Sequence, residues 1–169
     1  MSALFSFARG ATALAIVAQV VTSALPLSTA LAQSQGPFST LEGSWAGDGM
    51  LTAGDGHSER LRCRAKYFVS PSGQNLDQQL RCASDSYHFD VNSGLVRDGD
   101  GISGTWTETN RNASGSVQAR SEGDSIVARV AGPSFTASMT VTTNANRQRV
   151  QIIPNGADIK SVTIDMRRQ

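Results

Sequence analysis

Residues 61–82, LRCRAKYFVSPSGQNLDQQLRC, hold the chain's two cysteines and read as a single β-hairpin. On the first arm Leu61, Cys63, Ala65, Tyr67 and Val69 alternate with Arg62, Arg64, Lys66 and Phe68. This period of two sorts apolar groups to one face and, Phe68 excepted, cations to the other. Leu76, Leu80 and Cys82 fall at matching parity on the second arm, and Ser70-Pro71-Ser72-Gly73 between the arms has turn composition. Facing Val69 with Leu76 sets Tyr67 against Gln78, Ala65 against Leu80 and Cys63 against Cys82. Directly opposed antiparallel residues have Cα atoms roughly 4.5–5.5 Å apart, at the short end of the disulfide range, so this register predicts a Cys63–Cys82 bond. Two buried free thiols are the alternative.

The same alternation recurs outward from the hairpin. Runs at residues 43–52, 59–69, 75–83, 86–91, 102–109, 114–120, 125–131, 135–143, 147–153 and 159–166 predict strands, separated by breakers such as AGDG (53–56) and RDGDG (97–101). Pro154-Asn155-Gly156 predicts a type I turn with a G1 bulge joining the last two strands. No run combines a helical period with caps. Short strands at this spacing imply an all-β fold, a single antiparallel barrel of about eight to ten strands over residues 41–169, with a β-sandwich as the alternative. Closure is favoured because an open sheet leaves two edges exposed. The expected interior includes Trp45, Met50, Leu61, Ala65, Tyr67, Leu80, Phe89, Trp106, Val117, Met139, Ile152 and Ile164.

Residues 1–32 fit a Sec-type signal peptide: Arg9 precedes an apolar core at residues 11–25, and Ala30-Leu31-Ala32 predicts cleavage after Ala32. That core contains Thr12, Gln19, Thr22 and Ser23 and stops at Pro26, short of the ~20 apolar residues of a membrane span. A periplasmic or secreted location follows, with no stable membrane insertion after cleavage, in a compartment that favours the disulfide. Residues 33–40, QSQGPFST, read as a flexible leader. The chain has 15 basic and 14 acidic residues, and losing Arg9 with the signal leaves the mature part neutral, with no electrostatic case for nucleic acid.

Gly43-Ser44-Trp45, at the head of the first strand, resembles the G-x-W signature of the calycin barrels: lipocalins, fatty-acid-binding proteins and avidins. The resemblance implies a barrel able to enclose a small apolar or amphipathic ligand. It also implies that Trp45 closes one end beneath an arginine from the last strand, Arg167 or Arg168, in a cation–π contact. A second lipocalin motif and the helix that lipocalins place before their last strand have no counterpart in the sequence. The mature chain also resembles a family of exported bacterial proteins that brings no activity with it.

Groups suited to catalysis are sparse. His57 lies in a turn beside Glu59 and His88 on the polar face of residues 87–91, each without converging partners. No catalytic residue, metal site or cofactor is therefore expected, and the chain reads as no enzyme. Asp98-Gly99-Asp100-Gly101 begins like a calcium loop, but Ile102 takes the third ligand place. Tyr67 and Trp106, on inward faces and each with one polar handle, are the expected ligand contacts, whereas Trp45 is expected to be structural.

Two polar features carry double readings. The row Arg60, Arg62, Arg64 and Lys66 docks an acidic partner or polysaccharide, or is a solvated outer face. Residues 106–112, WTETNRN, ring a barrel mouth, or form an ordinary solvated loop. The leading functional expectation is an exported binding protein for a small amphipathic ligand. The second is an interaction module such as a protease inhibitor or an envelope component with an envelope-protein partner.

Overall fold

Ten strands form from the alternating runs: β1 Gly43–Ala53, β2 Ser58–Val69, β3 Asn75–Ala83, β4 His88–Asp98, β5 Gly101–Glu108, β6 Ala113–Glu122, β7 Ser125–Ala131, β8 Thr136–Asn144, β9 Arg147–Asn155 and β10 Ile159–Arg168. The structure, a computed structural model, describes residues 36–169; the expected signal peptide and its cleavage point lie outside the described residues. Each strand runs antiparallel to its predecessor, and β1 pairs with β10, so the sheet closes into an up-and-down barrel rather than a sandwich. Every strand then has a partner on both sides, which removes the edges an open sheet would present.

The central hairpin has the expected register, with Val69 opposite Leu76, Tyr67 opposite Gln78, Ala65 opposite Leu80 and Cys63 opposite Cys82. The two cysteines are disulfide-bonded. On β2, Leu61, Cys63, Ala65 and Tyr67 are buried while Arg62, Arg64 and Lys66 are exposed, because strand side chains alternate between interior and solvent.

Three expectations need correction. Met50 is not interior: it is 47% exposed, while Leu51 is fully buried. The inward parity of β1 is set by Trp45 and passes through Gly47 and Gly49 to Leu51, so the two glycines hide the alternation from a hydrophobicity reading. The fourth strand runs seven residues past the expected Val91, to Asp98. Asn92-Ser93-Gly94 has turn composition, but its backbone pairs with both β3 and β5 and stays extended.

The third correction concerns Pro154-Asn155-Gly156, which does not form a tight hairpin. Gly156 does take a left-handed φ of 86°. However, β9 continues pairing with β8 through Pro154 and Asn155, while its pairing with β10 stops at Ile152 opposite Val162. The start of β10 is drawn instead to β1, where the Gly54 N–H donates to the Asp158 carbonyl at 2.8 Å.

One end of the barrel is plugged. Residues 36–40 of the expected leader form a turn in which Phe38 is fully buried and packs in the same core as Leu41 and Trp45. The Trp45 indole Nε1 donates to the Leu41 carbonyl at 2.8 Å, and the Arg168 guanidinium lies 4.4 Å over the ring. Arg168 also donates to the carbonyls of Glu42 and Thr40, tying the end of β10 to the segment before β1. Arg167, at the opposite parity, is exposed.

Candidate ligand cavity

The opposite end is hollow. A cavity of about 460 Å³ opens there, within the ~300–1,000 Å³ typical of small-molecule sites. Leu61, Leu80, Val91, Val117, Val130, Met139, Ile152, Val162 and Ile164 make its walls, contributed by inward positions of eight strands, and Cys82 brings the disulfide to the same surface. Four aromatic residues also line it. Tyr87 and Phe89 are nearly parallel, with centroids 6.1 Å apart, and Trp106 and Phe135 are tilted at 47° with centroids 5.7 Å apart.

Trp106 lines this cavity and is 7% exposed; its Nε1 donates to the Ala131 carbonyl at 3.0 Å, across β6. Gly115, on β6 opposite Trp106, makes that reach possible. A Cβ there would lie 1.8 Å from the Ala131 oxygen and 2.7 Å from the indole nitrogen. Tyr67 falls outside the cavity lining, at the plugged end. Its hydroxyl donates to Gln148 Oε1 at 2.8 Å, and Gln148 Nε2 donates to Thr143 Oγ1 at 3.3 Å. Burial pushes the Tyr67 phenol well above its ordinary pKa, against the smaller opposing effect of the Gln148 bond. Neutral Tyr67 is thus part of a closed polar relay beneath the cavity.

The run at residues 106–112 lies at the mouth. Glu108 points inward at 6% exposure, a position an unpaired carboxylate would not hold. It accepts from the backbone N–H of Asp90 at 3.0 Å, the Asn110 side-chain amide at 3.0 Å and the backbone N–H of Arg111 at 2.7 Å. Burial raises its pKa, but these backbone donors and the Arg111 charge together outweigh it and leave the carboxyl below its ordinary value. The Arg111 guanidinium sits 3.6 Å from Glu108, 5.0 Å over the Phe89 ring, and donates to the His88 carbonyl at 3.0 Å. Sequence reading found this cluster as a polar run but not the buried role of Glu108. The available signal was its parity, two residues after the inward Trp106.

His57 is exposed and 3.5 Å from Glu59, and His88 is exposed at the start of β4. Among the described residues no group of three or more His, Cys, Asp or Glu is placed to hold a metal ion. Arg60, Arg62, Arg64 and Lys66 are all exposed on β2, and among the described residues none makes an ion pair. The closed barrel gives that row no sheet edge to protect.

The fold is thus a closed ten-stranded antiparallel barrel, plugged at one end and hollow at the other. No protein family matches the sequence, and no curated protein does. Solved structures of similar fold include the following two. The S-type phycobiliprotein lyase CPES from Guillardia theta aligns with a TM-score of 0.60 at 10% identity, over 78% of this chain and 90% of that one. Rv2717c from M. tuberculosis aligns with a TM-score of 0.60 at 12% identity, over 78% of this chain and 94% of that one. At these identities the likeness is one of fold. It nevertheless corrects one expectation: a barrel of this kind is named a lyase, so sparse acid–base groups are no ground for reading the chain as no enzyme.

Proposed function

We propose that the chain is an exported protein that binds a small apolar or amphipathic molecule in the barrel cavity. The observation that carries this reading is the cavity itself, about 460 Å³, open at one end and walled by aliphatic and aromatic side chains. An apolar hollow of this size is a standing cost in lost packing contacts, which an occupant offsets. The fold shared with the phycobiliprotein lyase supports a binding role. Export rests on the expected signal peptide and is supported by the Cys63–Cys82 bond.

Tryptophan-fluorescence titration with a panel of fatty acids, long-chain alcohols and aromatic hydrocarbons tests the reading. Saturable quenching or enhancement, abolished in Trp106→Phe and retained in a Trp45→Phe variant, is the expected result. A flat response across the panel refutes it.

A second reading, docking of an acidic envelope partner, draws on the row Arg60, Arg62, Arg64 and Lys66 with exposed Met50 and Phe68 beside it. Reversing Arg62 and Arg64 to Glu then abolishes a salt-sensitive association without altering cavity binding.

A further inference from the structure

The cavity's floor is polar at one place. The deepest lining residues on β3, β4 and β5 are Gln78, Ser93 and Trp106, and they lie side by side, Gln78 opposite Ser93 and Ser93 opposite Trp106. Gln78 interrupts an inward series otherwise made of Leu76, Leu80 and Cys82, and Ser93 interrupts Phe89, Val91 and Leu95. Interior polar side chains are normally partnered within the protein. Trp106 obeys this, its only donor being spent on Ala131, and Tyr67, opposite Gln78 on the other side, is spent on Gln148. The Gln78 amide and the Ser93 hydroxyl have no hydrogen bond to any described residue. Among the described residues no shut-away side-chain polar atom is left without a partner, so these two groups open into the cavity.

We infer that Gln78 and Ser93 form an internal subsite for a neutral hydrogen-bonding group, a hydroxyl or carbonyl, on the end of an apolar ligand that enters first. This rests on the binding reading above and deepens it to a ligand class. The amide offers both a donor and an acceptor, and so does the hydroxyl, so together they satisfy either group. A carboxylate is disfavoured there. No cation lines the floor, and the one arginine of the lining, Arg111, stands at the mouth, committed to Glu108, the His88 carbonyl and the Phe89 ring. Desolvating an unpaired carboxylate is far more unfavourable than desolvating a neutral hydroxyl or carbonyl.

The test is calorimetric titration of the intact mature protein with three probes that share one body: phenylbutanol, butylbenzene and phenylbutanoate. Wild type is expected to bind phenylbutanol about five- to tenfold more tightly than butylbenzene, the scale of one or two net hydrogen bonds. Gln78→Leu and Ser93→Ala, each confirmed folded by its thermal melt, are expected to erase most of that preference while leaving butylbenzene binding equal or tighter. If alcohol and hydrocarbon bind wild type equally, or the preference survives both substitutions, the subsite is wrong though the cavity binds. Tightest binding of phenylbutanoate likewise overturns it, in favour of the rim cation. Failure of all three probes overturns the binding reading and this inference together.

Discussion

Two tryptophans with similar burial are set apart by what surrounds them. Trp45 is 1% exposed, capped by Arg168, bonded to Leu41 and buried in the same core as Phe38, so its removal opens a hole in the plug. Trp45→Ala is expected to destabilise by about 3–5 kcal/mol, a large share of a domain's ~5–15 kcal/mol. Trp106 already faces a cavity, so Trp106→Ala enlarges a space that exists and is expected to cost clearly less. Urea melts of the two variants decide this; equal losses would show that Trp106 is as structural as Trp45.

Glu108 offers a pH-dependent case. A carboxyl with a folded pKa below its unfolded value adds stability above the unfolded value, about 4.3, and loses it as pH falls through the folded one. Asp165, lowered chiefly by its bond to Arg149, and Glu59, lowered chiefly by Ser84, titrate in the same direction. The wild-type loss at acid pH is therefore shared, and a difference measurement isolates one group. Glu108→Gln is expected to melt lower than wild type at neutral pH, with the gap closing as pH drops below the ordinary carboxylate range. A gap that stays constant with pH contradicts the assignment.

At the scale of elements, the β2–β3 hairpin was legible to its register because three independent signals agreed: alternation on both arms, a four-residue turn and two cysteines at equal parity. β1 was misassigned at Met50 because glycines at inward positions carry no hydrophobic signal, and β4 was cut short because Asn92-Ser93-Gly94 imitates a turn whose backbone is claimed by both neighbours. The turn chemistry of Pro154-Asn155-Gly156 was read correctly at Gly156 but lost to a tertiary pairing, the pull of β1 on the start of β10. Nothing in the sequence marks Gln78 and Ser93 as a pair, since a sequence shows parity but not whether the space in front of a side chain is filled.

The hairpin's covalent bond makes a separate prediction. Its cysteines are separated by 19 residues, and in the chain-entropy model a loop of that order stabilises by roughly 3 kcal/mol. Thiol titration of denatured, unreduced protein is expected to find none, and Cys63→Ser with Cys82→Ser to lower the unfolding free energy by about that amount. Two titratable thiols would refute the bond. An unchanged unfolding free energy would place its effect elsewhere than in stability.

For the whole molecule, ten strands with inward aliphatic residues closing on themselves follow from the alternation, but whether the barrel is filled does not. That depends on volumes. The plugged end takes Phe38, Leu41, Trp45 and Tyr67, while the other end is lined at many inward positions by residues too small to meet at the axis, such as Ala113, Ala137, Val91 and Val130. Occupancy of the cavity therefore decides what the barrel is for. The most direct measurement is a native mass spectrum of the protein purified under non-denaturing conditions from its own host. A small-molecule adduct that disappears from the spectrum of the denatured protein is expected. The mass of the bare chain alone, or an adduct the size of a protein, would contradict that expectation.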